Sequence, residues 1–309
     1  MTFPLTAWRW RNLAFAILAI GLAGCATTGG QGQGSGTDQN AALAAKNAAV
    51  AEDEARLVRD LGQALETGDL SKAQILIGRL RTLRPDQPEA SLGEGEIELS
   101  QGHYAAAIKV FEKLITVEPV AARAHQGLGL AFLMTGRSDA AKKHFDIALE
   151  REANLWRSWN GLGYYHDVYK QWVESEQSYS EALKLKPDSA AVINNRGFSR
   201  LLQSQYEQAA EDFITALRLN PKLAVARTNL QIALAWLGKY EQALAGVSPG
   251  TLPRALNNVG YVAMLRGDYS AAETYFTRAM EASPSYDEQA ASNLRRLDAL
   301  KSNKNVSKK

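Results

Sequence analysis

The sequence predicts an all-α protein built as a solenoid of stacked helical hairpins. Three observations carry this. From residue 41 onward the chain is Ala-rich and helical in pattern, with no strand-like run. Pro85, Pro119, Pro187 and Pro221 are separated by 34, 68 and 34 residues, and Ala153 stands at the missing place in the series. Between the prolines the same small and aromatic residues return at the same offsets. Self-similarity at such a period marks a repeat architecture.

The first element is residues 1–24. Arg9 and Arg11 give it a basic start, and "LAFAILAIGLAG" (13–24) is apolar or small throughout. Spanning a bilayer takes about 20 apolar residues, so the segment reads as an export signal. It ends in Leu22-Ala23-Gly24-Cys25, which holds the only cysteine. This resembles the bacterial lipobox. The resemblance implies cleavage before Cys25, diacylation of its sulfur and acylation of the new N-terminus. Each buried methylene contributes about 0.8 kcal/mol and one chain alone holds marginally, so several chains anchor firmly. The next residue is Ala26 rather than the Asp that retains such proteins at the inner membrane in enterobacteria. That favours an outer-membrane lipoprotein facing the periplasm.

Residues 26–40, "ATTGGQGQGSGTDQN", read as a flexible tether of roughly 20 Å mean span. No Lys-Ser/Thr follows the glycines and no strand precedes them, so they are not a phosphate loop. Residues 25–53 are thus the lipidated cysteine, a linker and a helical lead-in.

With each closing Pro set at position 32, repeats start at 54, 88, 122, 156, 190 and 224, then at 253 and 287. The unit at 122 has Leu128-Gly129, Gly136, Ala141, Phe145 and Ala148. The unit at 253 has Gly260, Gly267, Tyr269, Ala272, Phe276, Ala279 and Pro284. Gly and Ala admit close helix approach, the aromatic at position 24 fills the gap the next hairpin covers, and Pro ends the second helix. One hairpin cannot bury its own apolar face, so units must stack. The pattern resembles the tetratricopeptide repeat, which implies a superhelical solenoid of about seven helix-turn-helix units over 54–286. The unit at 54 is degenerate but in frame. Residues 287–301 read as a polar-faced capping helix and 302–309 as a Lys-rich disordered tail. The unit at 224 is short: "GVSPGTLPR" cuts its second helix, and only 29 residues separate starts 224 and 253. Either this is a neutral deletion or it opens a notch for a partner.

Apolar residues make up 46% of the chain and charged residues 22%. Without Arg9 and Arg11, the 35 basic residues fall to the number of the 33 acidic ones, which leaves no basic face for nucleic acid. His103, His125, His144 and His166 lack metal-ligand spacing and read as packing or surface residues. Glu94 with Glu96, and Glu52 with Asp53, are too close in sequence to share a helix face. No nucleophile elbow occurs. The expectation is a binding protein, not an enzyme, with no cofactor, metal or small-molecule substrate.

What the repeat offers is a groove lined by positions 2, 5, 6, 9, 12 and 13 of each first helix. Position 5 supplies Asn160, Asn194 and Asn257, and position 6 supplies Asn195, Asn229 and Asn258. Tyr164, Phe198 and Tyr261 stand at position 9 and Trp236 at position 13. Amides carry donors and an acceptor, so the row suits an extended peptide backbone, with aromatics beside it for apolar side chains. The alternative is that these asparagines tie neighbouring helices together. A clamp for acidic peptide ends is weaker. It needs Lys or Arg around the position-6 Asn, and only Arg254 fits there; Arg123 and Arg157 lie in earlier units.

The stretches 192–213, 226–244 and 256–284, together with the lipobox, resemble the TadD family of tight-adherence (Flp) pilus-assembly lipoproteins. The resemblance implies a pilotin-like adaptor for a secretin or another component of the pilus machine. A second class also fits a tetratricopeptide lipoprotein: an NlpI-like scaffold for peptidoglycan hydrolases or outer-membrane assembly.

Overall fold

The computed structural model describes residues 37–283 and 287–306. The signal peptide, Cys25, most of the expected tether, Pro284 and residues 307–309 lie outside them. Among the described residues all regular structure is helical. The hairpins are α1 (Thr37–Thr67) with α2 (Leu70–Leu83), α3 (Pro88–Ser100) with α4 (Tyr104–Glu112), and α5 (Ala121–Met134) with α6 (Ser138–Arg151). They continue with α7 (Trp156–Val168) and α8 (Trp172–Leu185), α9 (Ala190–Leu202) and α10 (Tyr206–Leu219), and α11 (Ala224–Trp236) and α12 (Tyr240–Leu244). The last are α13 (Leu252–Arg266) with α14 (Tyr269–Ala282), then α15 (Glu288–Val306) alone. The fold is the all-α tetratricopeptide solenoid.

The helices fall into two compact units. The N-terminal unit holds residues 37–169 with Ser180–Leu185, and the C-terminal unit holds Lys170–Tyr179 with 186–306. Two boundaries differ from expectation. α1 begins at Thr37, inside the stretch read as tether, and runs without a break through residue 54. α15 continues past 301 to Val306, so the first part of the expected tail is helical.

Most of the hairpins share two devices. The turn between its helices needs a residue in the left-handed region, and Gly102, Gly136 and Gly267 supply it at φ +81, +77 and +82°. Lys170 and Ser204 occupy that slot in two units, at φ 56 and 61°. The second device is the aromatic at position 24. Phe111, Phe145, Phe213 and Phe276 are each fully buried, a contribution of roughly 2–3 kcal/mol apiece. Glycine makes room for them. A Cβ on Gly95 of α3 or Gly127 of α5 would come within 2.5 Å of the Phe111 ring, and Gly129 and Gly161 stand in the same relation to Phe145. Phe111 and Phe145 thus each need a glycine from their own hairpin and one from the next, which couples those neighbouring repeats.

The short repeat keeps only five residues of its second helix, α12, followed by a 3-10 turn over Pro249–Thr251. α13 closes the space this leaves. Leu256 and Val259 pack with Ile232 and Ala235 of α11 and are buried. No large apolar side chain between Gly238 and Met264 is exposed, so the short repeat presents no apolar patch.

Candidate functional site

In the C-terminal unit the face expected to bind is carried by α9, α11 and α13. Asn194, Asn229 and Asn257 are only 4–5% exposed. Asn229 Nδ2 on α11 donates to Asn194 Oδ1 on α9 at 3.1 Å, and Asn293 Nδ2 on α15 donates to Asn257 Oδ1 on α13 at 2.9 Å. Asn194 Nδ2 in turn donates to Asn195 Oδ1 at 3.3 Å. In the N-terminal unit, Asn160 is likewise buried. The expectation that all six amides face a peptide is therefore corrected. Four are buried, because first helices packed about 8–10 Å apart turn these side chains into the seam, where an unpaired amide is costly. Asn195 and Asn258 are the two that stay half-buried.

Phe198, Trp236 and Tyr261 are half-buried. Leu202 and Leu265, at position 13 beside them, are 40% and 48% exposed. Trp236 lies parallel to Tyr206, with ring centroids 5.1 Å apart and planes 2° from parallel, a stack that helps fix the indole.

The N-terminal unit presents a different face. Tyr164 is half-buried, and burial followed by the Asp167 charge raises its hydroxyl above the ordinary tyrosine range. The arginines at position 2 are taken by the chain's own carboxylates. Arg123 lies 3.8 Å from Glu89, and Arg157 Nη1 of α7 donates to Glu96 of α3 at 2.9 Å. The second pair joins helices two hairpins apart, and its side chains are only 6% and 14% exposed. The Trp156 Nε1 and Arg157 Nε protons have no acceptor. A clamp built on Arg123 or Arg157 would first have to break these pairs. Arg254, in the C-terminal unit, is exposed.

Sequence reasoning missed a histidine pair. Nδ1 of His125 on α5 and Nδ1 of His144 on α6 are 2.9 Å apart, with the rings stacked. Burial, then the His144, Arg151 charges, lowers His125 to about 4. His144 is also lowered, by burial first and then by Lys143 and Arg137. The signal was available: positions 4 and 23 of one hairpin face each other across its two helices. Also unforeseen is Asp212, which accepts from Arg196 at 2.7 Å and from Arg200 at 2.8 Å and turns both arginines of α9 inward. Among the described residues no three His, Cys, Asp or Glu side chains converge as a metal site.

A fold of stacked hairpins with small residues at the helix crossings and a lined face defines a class, the helical-repeat interaction scaffold. Models of the tetratricopeptide repeat match residues 60–117, 92–141, 128–190 and 253–286, more than half of the chain. The chain belongs to the tetratricopeptide-repeat family. No curated protein sequence matches it. Among solved structures it is similar to a chain of the APC/C hetero-tetramer Cut9-Hcn1, at 21% identity over 77% of this chain and TM-score 0.61. It spans about half of that chain, 48%. It is also similar to pilF of Pseudomonas aeruginosa, at 22% identity over 69% of this chain and 96% of that one, with TM-score 0.50. A third is YrrB, a TPR protein with an unusual peptide-binding site, at 20% identity, 60% and 97% coverage and TM-score 0.47. At these identities the likeness is one of fold.

Proposed function

We propose that this chain is a lipid-anchored adaptor on the periplasmic side of the outer membrane. It works in assembly of the tight-adherence (Flp) pilus and holds a secretin or another machine component through the concave face. The observation that carries the reading is the order of parts. A lipobox ending at Cys25 stands directly ahead of a tetratricopeptide stack whose segments 192–213, 226–244 and 256–284 resemble the TadD family. Acyl chains on Cys25 confine the stack to a layer near the membrane, which raises its effective concentration toward membrane-bound partners. The repeat scaffold supplies the interaction and no chemistry is asked of it.

The test is deletion in the native strain. Loss of secretin multimers and of surface pili is expected, and normal pili in the deletion strain would end this reading. Cys25→Ser should move the protein out of the membrane fraction. Crosslinking in the intact envelope identifies the partner, and recovery of peptidoglycan hydrolases in place of pilus components would assign the chain to the hydrolase-scaffold class.

A further inference from the structure

We propose that the α6–α7 edge of the N-terminal unit is a docking site for an arginine side chain of a protein partner, built from Tyr165, Tyr169 and Asp139. The tyrosines stand at positions 10 and 14 of their repeat, which are not groove-lining positions, and the site holds whether or not the pilus reading does. The first argument is that the repeat does not require these residues. At position 10 the other repeats from 88 onward carry Ile97, Ala131, Ser199, Ala233 and Val262, each 6% exposed or less. Tyr165 takes the same place and is only half-buried. One turn further on, Tyr169 is 46% exposed. The packing of α6 on α7 is already made by the Phe145 ring, which lies against Gly161. Two tyrosines at this edge are therefore surplus to the repeat's packing.

The second argument is what the pair is built around. Tyr169 Oη donates to Asp139 Oδ1 at 2.9 Å, and Tyr165 Oη donates to the same oxygen at 3.3 Å. The ring centroids are 4.7 Å apart with planes at 43°, so the rings make one aromatic wall with the carboxylate at its hydroxyl edge. The hydrogen bond to Asp139 raises the Tyr169 hydroxyl, and burial followed by the Asp139 charge raises Tyr165, so both remain donors. Among the described residues no cation pairs with Asp139. Lys142, 6.0 Å from the Tyr165 ring centre, is held by Asp146 at 2.7 Å. Both hydroxyls meet Oδ1, which leaves Oδ2 for a further donor. An aromatic face attracts a cation within about 6 Å of its centre. A guanidinium is planar and can lie on such a face while its fork reaches a carboxylate, whereas an ammonium is compact and strongly hydrated. The hydroxyl bonds fix the rings before a partner arrives, so docking orders little that is not already ordered.

The experiment is NMR titration of the isotopically labelled full repeat chain with a blocked Gly-Leu-Arg-Leu-Gly peptide and its Lys and citrulline counterparts, citrulline being the uncharged isostere of arginine. The Arg peptide is expected to shift the amide resonances of Asp139, Tyr165 and Tyr169. It should bind about fivefold more tightly than the Lys peptide and about tenfold more tightly than the citrulline peptide. Asp139→Asn and Tyr169→Ala should each weaken it about fivefold or more. Tyr165→Ala installs the residue that Ala131 and Ala233 supply in other repeats, and should weaken binding as much with an unchanged melting temperature. Equal binding of the Lys or citrulline peptide, shifts centred elsewhere, or no binding of the Arg peptide overturns the proposal. A lowered melting temperature in Tyr165→Ala with binding retained overturns it too, and makes the pair a packing device.

Discussion

The histidine pair gives the repeat stack a defined response to acid. With two Nδ1 atoms 2.9 Å apart, one ring must donate and the other must offer a lone pair. Protonating both sets two N–H groups head to head, among the positive charges of Arg137, Lys143 and Arg151. In the unfolded chain each imidazole titrates near 6.5, whereas folded His125 titrates at about 4. The unfolded state therefore binds more protons between those values, and stability falls as pH drops through that window. The contribution is complete above pH 6.5 and gone below 4. A shift of this size corresponds to at most about 3 kcal/mol, and solvent on the half-exposed His144 side reduces it to roughly 1–2 kcal/mol. Urea unfolding from pH 7.5 to 4 measures it directly, in wild type and in His125→Phe. The wild type should lose about 1–2 kcal/mol more than the variant, with the divergence beginning near pH 6.5. Parallel loss in both proteins across the window would refute the reasoning.

Four further outcomes follow from local geometry. Gly127→Ala puts a Cβ 2.5 Å from the immobile Phe111 ring and should cost about 1–3 kcal/mol in urea unfolding. Gly78→Ala on α2 meets nothing within 4 Å and should gain up to about 1 kcal/mol. Ser204→Gly relieves a left-handed residue at φ 61° and should raise stability by about 1 kcal/mol; an unchanged melting temperature would show that the turn holds no strain. Glu96→Ala leaves Arg157 buried without its carboxylate and should cost roughly 3 kcal/mol. The double replacement Glu96→Leu with Arg157→Met should recover most of that loss.

The repeat was legible because its packing rule is local. The glycines at 95, 129, 197 and 260, the aromatics at 111, 145, 213 and 276 and the prolines recur at fixed offsets, and the helices follow from them. The asparagines were harder. Positions 5 and 6 differ by about 100° around a helix, and whether that turns an amide toward solvent or into the seam depends on the neighbouring helix. The period alone does not give that angle, and Asn229 went into the seam while Asn258 did not. The Arg157–Glu96 pair joins residues 61 apart in sequence, across a whole intervening hairpin, and leaves no signature in any one repeat. The start of α1 at Thr37 was obscured by the glycine-rich run before it, although the Ala-rich residues after it favour helix.

The truncated helix α12 bears on how the chain moves. It has five residues where α10 and α14 have fourteen, and Ala243 is its only buried side chain. It packs on α11 and is also tied to the next hairpin by two side-chain bonds. Tyr275 Oη donates to Glu241 at 2.9 Å, and Tyr240 Oη donates to Asp268 at 3.2 Å. In a linear array each repeat is stabilised only by its neighbours, so the thinnest one sets where cooperativity breaks. Residues 240–251 are then the hinge-like seam at which amide protons exchange first and a protease cuts first. A second helix nine residues shorter than its counterparts makes this repeat the weakest link of the C-terminal helices.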